Sequence, residues 1–139
     1  MKICIGVNEN RDGYQNVGFV KSLDAFAENG ECEEILASNI LEYIPCPNIE
    51  QFILHLASKV AHGGKITVCG IDYVEVCKMA IRQDFNVAEF NRLIFGSGSQ
   101  PRESAINLNV VATLLLSNGF KIQKKRLNGY NFVVEATRV

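Results

Sequence analysis

The apolar residues of this chain follow two spacings, and the alternation between them predicts the order of its elements. Short, nearly continuous apolar runs bounded by turn residues are typical of strands inside a sheet. Stretches in which apolar residues recur every three or four positions indicate helices with one buried face. The first half of the chain has four runs of the strand type, at 3–7, 14–20, 34–40 and 65–70, with a loop at 21–32.

The first predicted helix lies between the third and fourth strands. Asn48 and Gln51 have the spacing of a capping box, and Gly63-Gly64 is the expected stop. The apolar stripe between these signals consists of Ile49, Phe52, Ile53, Leu56, Ala57 and Val60. Further helices are expected at 73–83, from Asn86 to about 95, and from Asn107 to 119, with a loop at 96–101.

The end of the chain predicts a β-hairpin. Asn128-Gly129 lies between apolar runs at 120–127 and 130–137, and this dipeptide favours the tight turn that joins antiparallel strands. The preceding order of strands and helices favours a parallel sheet. The sequence therefore predicts an α/β fold, mostly parallel with a C-terminal antiparallel hairpin, in a single domain spanning 1–139.

Composition narrows the class of protein. The chain has 139 residues, 47% hydrophobic and 21% charged, which is an ordinary globular mixture and excludes a disordered chain. Lys and Arg number 14 against 15 Asp and Glu, so bulk charge does not favour nucleic acid or a membrane surface as a partner. No apolar run approaches the about 20 residues that a membrane helix requires. A basic cluster at 121–126 is interpreted as a solvated strand edge.

The cysteines and the N-terminus indicate a cytoplasmic protein without a metal site. The cysteines are odd in number, none has C-x-x-C spacing, and each is expected to be a small buried hydrophobe in a reducing compartment. They are Cys4, Cys32, Cys46, Cys69 and Cys77. The first residues have a strand pattern instead of the apolar core of a signal peptide.

Several segments, in the order in which they occur, carry a resemblance to a known family. They read IGVNEN at 5–10, GYQNV at 13–17, EEILASNILEYIP at 33–45, HGGKI at 62–66, GID at 70–72 and NGY at 128–130. The chain resembles small class I S-adenosylmethionine-dependent methyltransferases. The similarity is to the short branch whose first strand leads through a loop into the second without a helix, and segment 33–45 is the most specific part of it.

The resemblance implies a Rossmann-like core that binds S-adenosylmethionine and transfers its methyl group to an acceptor. Ligands of an open α/β sheet lie beyond the carboxyl ends of its strands. Around the cofactor the resemblance and this rule place Gly6, Val7, Asn8, Asp24, Ala25, Ser38 and Asn39. On the acceptor side they place Glu42, Tyr43 and Asp72. Because the sulfonium is already activated, the protein mainly aligns the nucleophile with it.

The chain departs from the family pattern at positions that matter. Gly18 stands where an acidic residue is expected to bind the ribose, and Val7 and Asn8 replace residues of the glycine loop. Asn39 and Tyr43 replace both histidines of the pattern. Two alternatives therefore stay open: a catalytically inactive relative that serves as a binding or interaction module, and a site for another adenosine-containing ligand or nucleotide.

Some candidates have a structural interpretation beside the functional one. Asp72 has the position of a helix N-cap, and Asn39 that of a turn residue. His55 falls off the apolar stripe of its helix and is expected in solvent. The chain contains no G-x-S-x-G, P-loop or H-E-x-x-H spacing.

The sequence does not identify the methyl acceptor. Segment 86–104 is the expected lid over the acceptor. Because the chain is short, we expect its sheet to be poorly covered and the protein to form a homodimer.

Overall fold

The structure, a computed structural model, describes residues 1–6, 10–18, 22–98 and 100–139. Its strands are β1 (Lys2–Gly6), β2 (Gln15–Asn16), β3 (Cys32–Ser38), β4 (Val60–Ile71), β5 (Gly96–Ser97), β6 (Gln100–Pro101), β7 (Phe120–Asn128) and β8 (Asn131–Arg138). Six of them form one sheet in the order β2-β1-β3-β4-β8-β7. The first four strands are parallel, and β8 and β7 are antiparallel to their neighbours. This confirms the predicted α/β class and the C-terminal hairpin.

The helices α1 (Ile49–Lys59) and α4 (Leu108–Ser117) pack on one face of the sheet and bury it. The other two α-helices are α2 (Tyr73–Ile81) and α3 (Val87–Phe95). Alternate side chains of β1, β3, β4 and β8 point to one side and form a single core with α1 and α4. No helix in the described part of the chain is long and apolar enough to cross a membrane.

The opposite face of the sheet carries charged side chains in place of a second core. Glu34 of β3, Lys65 of β4 and Glu135 of β8 lie side by side, and Lys65 bridges both carboxylates at 3.6 and 3.4 Å. Parallel sheets usually bury both faces under helices. This row of alternating charges explains how the sheet tolerates water on one face, because each charged side chain has a neighbour of opposite sign.

The start of α1 and its end both differ from the prediction. The side chain of Asn48 makes no capping bond, because Asn48 belongs to a 3-10 turn (Cys46–Asn48) and has the helical backbone angles φ −101° and ψ −5°. An N-cap needs an extended backbone at that position. The helix ends at Lys59, before Gly63-Gly64, because Val60 already pairs with Cys32 in the sheet.

Other elements were predicted with mixed success. The asparagine caps are confirmed: Asn86 Oδ1 accepts from the Glu89 N–H and Asn107 Oδ1 from the Val110 N–H, both at 2.9 Å. The strand predicted at 14–20 has only two residues in the described part, and the loop predicted at 96–101 contains the hairpin β5–β6. Cys46 and Cys77 are exposed, against expectation.

His55 is half-buried, and the expectation that it lies in solvent is wrong. Its Nε2 accepts a hydrogen bond from the Leu23 N–H at 2.9 Å, and Leu23 itself is buried. The ring therefore fastens the loop that follows β2 to the side of α1.

Candidate functional site

The carboxyl ends of the parallel strands meet at one edge of the sheet. Gly6 at the end of β1 pairs with Ser38 at the end of β3, and Ser38 pairs in turn with Cys69 of β4. The register thus brings two of the predicted cofactor residues into one row. Gly6 and Ser38 are both buried. Because Gly6 has no side chain, a ligand can approach the backbone of β1 closely at this point.

Asn39 turns the chain sharply at the same edge. Its φ is +52°, in the left-handed region that asparagine tolerates better than most residues. Its N–H donates to the Cys69 carbonyl at 2.9 Å, while the residue as a whole is exposed. The turn therefore holds an amide side chain in solvent directly beside Gly6 and Ser38.

Glu42 folds back beneath the end of β4. It lies on a 3-10 turn (Leu41–Tyr43), is 2% exposed, and accepts a hydrogen bond at Oε1 from the Ile71 N–H at 2.7 Å. A side chain at Gly70 would overlap Oε1 and would come within 3.2 Å of the Phe132 ring. Position 70 must therefore be glycine for the carboxylate to occupy this place.

The second oxygen of Glu42 has an unmet hydrogen-bonding capacity. Among the described residues, neither Glu42 Oε2 nor the buried Nε and Nη1 atoms of Arg102 has a hydrogen-bond partner. Burial raises the pKa of the Glu42 carboxyl, while the Ile71 N–H and the charge of Arg102 oppose the rise. A small pocket, with room for about one water molecule, is lined in part by Glu42 and Arg102.

The backbone fixes Arg102 above this pocket. The Arg102 N–H donates to the Phe95 carbonyl at 2.9 Å, and the N–H groups of Glu103 and Ser104 donate to the Glu42 carbonyl at 2.7 and 3.1 Å. The Ser104 hydroxyl also donates to the Ile44 carbonyl. Sequence reasoning missed Arg102, because it lies 60 residues from Glu42 and no spacing connects the two.

The remaining acceptor-side candidates differ in their surroundings. Tyr43 is half-buried next to Glu42. Asp72 is buried, and both of its oxygens are engaged: Oδ1 accepts from the N–H groups of Val74 and Glu75 at 2.9 and 3.2 Å, and Oδ2 from the Leu108 N–H at 2.9 Å. The structure thus shows Asp72 as the cap of α2 and its link to α4.

Asp24 and Ala25 are not brought to the carboxyl edge. Asp24 accepts from the Lys59 ammonium at 2.7 Å, and Lys59 ends α1 directly before β4 begins, at the opposite edge of the sheet. The hydrogen bond from Lys59 lowers the pKa of the exposed Asp24 carboxyl. Val7 and Asn8, also predicted at the cofactor, lie outside the described residues.

A cluster that sequence reasoning missed lies on the charged face. The Tyr14 hydroxyl donates to Glu34, and Lys2 and Lys65 approach the same carboxylate at 3.7 and 3.6 Å. Burial and the adjacent Glu34 raise the pKa of Tyr14 to about 12. Burial alone would raise the pKa of Glu34, but the Tyr14 hydroxyl and the two ammonium groups outweigh burial and lower it.

Comparisons with known proteins identify the fold. No family model matches the chain, and no curated protein matches its sequence. Among solved structures, a S-adenosylmethionine-dependent methyltransferase from Methanosarcina mazei aligns with 99% of this chain and 82% of its own, at a TM-score of 0.64 and 11% identity. An O-methyltransferase family protein from Burkholderia thailandensis aligns with 88% of this chain at a TM-score of 0.60 and 18% identity.

A third structure contains a ligand. The magnesium protoporphyrin IX methyltransferase from Synechocystis, with bound S-adenosylhomocysteine, aligns with 92% of this chain at a TM-score of 0.59 and 16% identity. This chain spans 53% of that protein and 36% of the Burkholderia protein. The chain therefore has the Rossmann-like fold of class I methyltransferases.

Proposed function

We propose that the chain binds S-adenosylmethionine at the carboxyl edge formed by Gly6, Ser38 and Asn39, and transfers its methyl group to an acceptor held on the Glu42 side. The observation that carries the proposal is the sheet order β2-β1-β3-β4-β8-β7 with its antiparallel C-terminal hairpin. Over nearly the whole chain this architecture is similar to that of the Methanosarcina methyltransferase.

The residues at this edge suit a nucleoside-like ligand in part. Gly6 leaves the end of β1 without a side chain, and the exposed Asn39 amide offers both a donor and an acceptor. A carboxylate for the ribose is missing from its expected position, Gly18. The nearby Asn16 amide already bonds to Arg11 and Tyr14. We therefore assign ribose recognition to other groups at the carboxyl edge. Val7 and Asn8, which follow β1 in the sequence, remain part of the proposed cofactor site.

The role of the protein in such a reaction is alignment. S-adenosylmethionine, when bound, supplies an activated methyl group. The chain's own residues bind it, orient the acceptor and exclude water. Because Asp24 forms an ion pair with Lys59, which ends α1 directly before β4 begins, we leave Asp24 and its neighbour Ala25 out of the proposed cofactor site. The whole of 1–139 is proposed to act as one domain.

The proposal is tested by isothermal calorimetry with S-adenosylmethionine and S-adenosylhomocysteine. Asn39→Gly removes the amide while keeping a backbone that glycine adopts freely. The matched control is Gln83→Gly, since Gln83 is exposed and also has a positive φ, +59°, but lies at the end of α2. We expect micromolar binding by the wild type and Gln83→Gly, and about tenfold weaker binding by Asn39→Gly.

Absence of binding at millimolar ligand, by a folded protein, overturns the proposal. The fold would then be an inherited scaffold, and the inactive binding or interaction module would be the better description. Equal binding of S-adenosylmethionine by both glycine variants would support cofactor binding but would show that Asn39 does not contribute to it.

A further inference from the structure

Helices α2 and α3 form a helical hairpin, which we call the arm (residues 73–95). The two helices pack on each other and are joined by residues 82–86. Of the residues in these two helices, only Val76 and Leu93 are buried. Helices this short are marginal in water by themselves, because most helical stability in proteins comes from packing an apolar face. The arm therefore buries little of the apolar surface that would stabilise it.

The apolar residues that the arm does not bury are exposed to solvent. Ile81 is 81% exposed, Val87 is 77% exposed and Phe95 is 61% exposed. Apart from the C-terminal Val139, these are the most exposed large apolar side chains in the part of the chain that the structure describes. Single exposed apolar residues are ordinary, but several on one element are typical of an interaction surface.

A shallow, open groove lies at the tip of the arm, where the two helices are joined. It is lined by Ala80, Phe85, Asn86, Val87 and Phe90. Its volume of ≈ 210 Å³ is below the about 300 Å³ at which typical small-molecule sites begin. The groove is therefore better suited to an apolar side chain from another protein surface than to a small ligand.

The charges of the arm limit the kind of partner. All six of its charged side chains form ion pairs within the arm, namely Glu75 with Lys78 at 3.7 Å, Arg82 with Asp84 at 3.0 Å, and Glu89 with Arg92 at 2.9 Å. The arm thus has no net charge. It gains nothing from an anionic partner such as a nucleic acid or an acidic membrane, and it does not repel a second copy of itself.

The sheet is a poorer place for contact between two copies. β7 forms one edge of the sheet, and its nine residues include four basic and no acidic side chains. On the charged face, Glu34, Lys65 and Glu135 are already paired within the chain. Two copies that met there would have to bury these charges, which is costly, whereas the arm offers neutral apolar surface.

We propose that the chain forms a weak two-fold symmetric dimer through the apolar surface of the arm, centred on Ile81 and Val87. In a two-fold interface both copies contribute the same patch, so these side chains pack against the tip groove of the other copy. Two short helices side by side offer roughly 300 Å² per copy. Because stable specific interfaces bury about 1,200 Å² or more in total, the dimer is weak. The inference does not depend on cofactor binding.

The test compares two valines in matched positions. Each is exposed and lies in the first turn of a helix that an asparagine caps: Val87 in α3, after Asn86, and Val110 in α4, after Asn107. Negative charge is favourable near a helix N-terminus, so Val87→Glu and Val110→Glu should both keep the fold, which circular dichroism checks. Only Val87→Glu places a charge in the proposed interface.

Association of the full chain is measured by sedimentation equilibrium, without cofactor, from about 10 μM to about 1 mM. We expect the wild type and Val110→Glu to dimerise with a dissociation constant of about 100 μM, and Val87→Glu to associate at least about tenfold more weakly. Because the arm is neutral, raising NaCl from about 0.05 M to about 0.5 M should change the wild-type dissociation constant by less than about twofold.

Three results would overturn the inference. They are a wild type that stays monomeric at about 1 mM, association of Val87→Glu as strong as that of Val110→Glu, and a dimer that dissociates as the salt concentration rises. The last result would place the contact on charged surface instead of the arm. A failure of the proposed methyltransferase function would show separately, in the calorimetry.

Discussion

Two glutamates of this molecule lie against opposite faces of one sheet and in opposite electrostatic situations. Glu34, on the charged face, is met by the Tyr14 hydroxyl and by the ammonium groups of Lys2 and Lys65. Its pKa lies below the usual value although burial raises it. Glu42, on the helical face, accepts from the Ile71 N–H, its Oε2 has no hydrogen-bond partner among the described residues, and burial raises its pKa.

The difference separates a carboxylate whose charge is matched by its neighbours from one that is buried with incomplete hydrogen bonding among the described residues. The partners of Glu34 are all supplied by neighbouring strands and their flanking loop, so its charge is matched within the protein. Glu42 is held in place by Ile71 and by the absence of a side chain at Gly70, yet its Oε2 has no hydrogen-bond partner in the part of the chain that the structure describes. Perturbed and incompletely paired titratable groups beside a pocket are typical of functional sites.

The largest expected effect comes from filling the space that Glu42 occupies. In Gly70→Ala the new methyl group meets Glu42 Oε1 and the Phe132 ring, both buried. We expect a loss of about 3 kcal/mol in the free energy of unfolding, measured with urea. Gly98→Ala is the control, since a methyl group there has nothing within 4 Å, and its stability should change by less than about 0.5 kcal/mol. Equal stability of the two variants would contradict the close packing of Glu42 on β4.

A third carboxylate sharpens the comparison, because the buried Asp72 has both oxygens engaged. Asp72→Ala removes two capping bonds of α2 and the bond to the Leu108 N–H. The expected loss is about 2 kcal/mol. Asn86→Ala, which removes a single exposed cap, should lose about 1 kcal/mol by the same urea measurement. A smaller loss for Asp72 than for Asn86 would show that the link to α4 contributes nothing.

A smaller effect is expected from the charged face. Tyr14→Phe removes the hydroxyl that donates to Glu34, and Glu34→Gln removes the carboxylate charge. Each should lower the free energy of unfolding by about 1 kcal/mol, the net contribution of a typical hydrogen bond, because Tyr14 and Glu34 are both only half-buried. The double variant should lose less than the sum of the two. Additive losses would mean that Tyr14 and Glu34 do not interact.

The sequence predicted the fold better than the site. Strand and helix order follow from local patterns: the stripe of α1, the caps at Asn86 and Asn107, and the Asn128-Gly129 turn each act within a few residues. The end of α1 was missed because the pairing of Val60 with Cys32 is a contact between distant segments.

The site depends on such distant contacts throughout. Segment 33–45 directed attention to Glu42, but its partners lie near residues 70 and 102 and leave no local signal. Asp24 was assigned to the cofactor from the resemblance, whereas in the structure its carboxylate forms an ion pair with Lys59 at the end of α1. Residues 10–14, the described part of the segment between β1 and β2, form no helix, in agreement with the resemblance. The pairing of charges across the strands could not be predicted from spacing along the sequence.

The last prediction concerns pH, where the two glutamates should act with opposite signs. A carboxyl whose pKa is lowered by folding contributes stability that is present above its unfolded pKa and is lost as the pH falls through the folded value. This applies to Glu34. A carboxyl whose pKa is raised by folding contributes most below its unfolded pKa, and the contribution is lost as the pH rises through the folded value. This applies to Glu42.

Urea unfolding of the wild type, Glu34→Gln and Glu42→Gln between about pH 3 and about pH 8 separates the two contributions. Relative to the wild type, Glu34→Gln should become less stable as the pH rises through the acid range, because the wild type gains there from ionising Glu34. Glu42→Gln should become relatively more stable as the pH rises above the ordinary carboxyl range, because it avoids a buried charge whose hydrogen bonding is incomplete. Parallel curves for the two variants would mean that Arg102 already neutralises Glu42 as fully as the lysines neutralise Glu34.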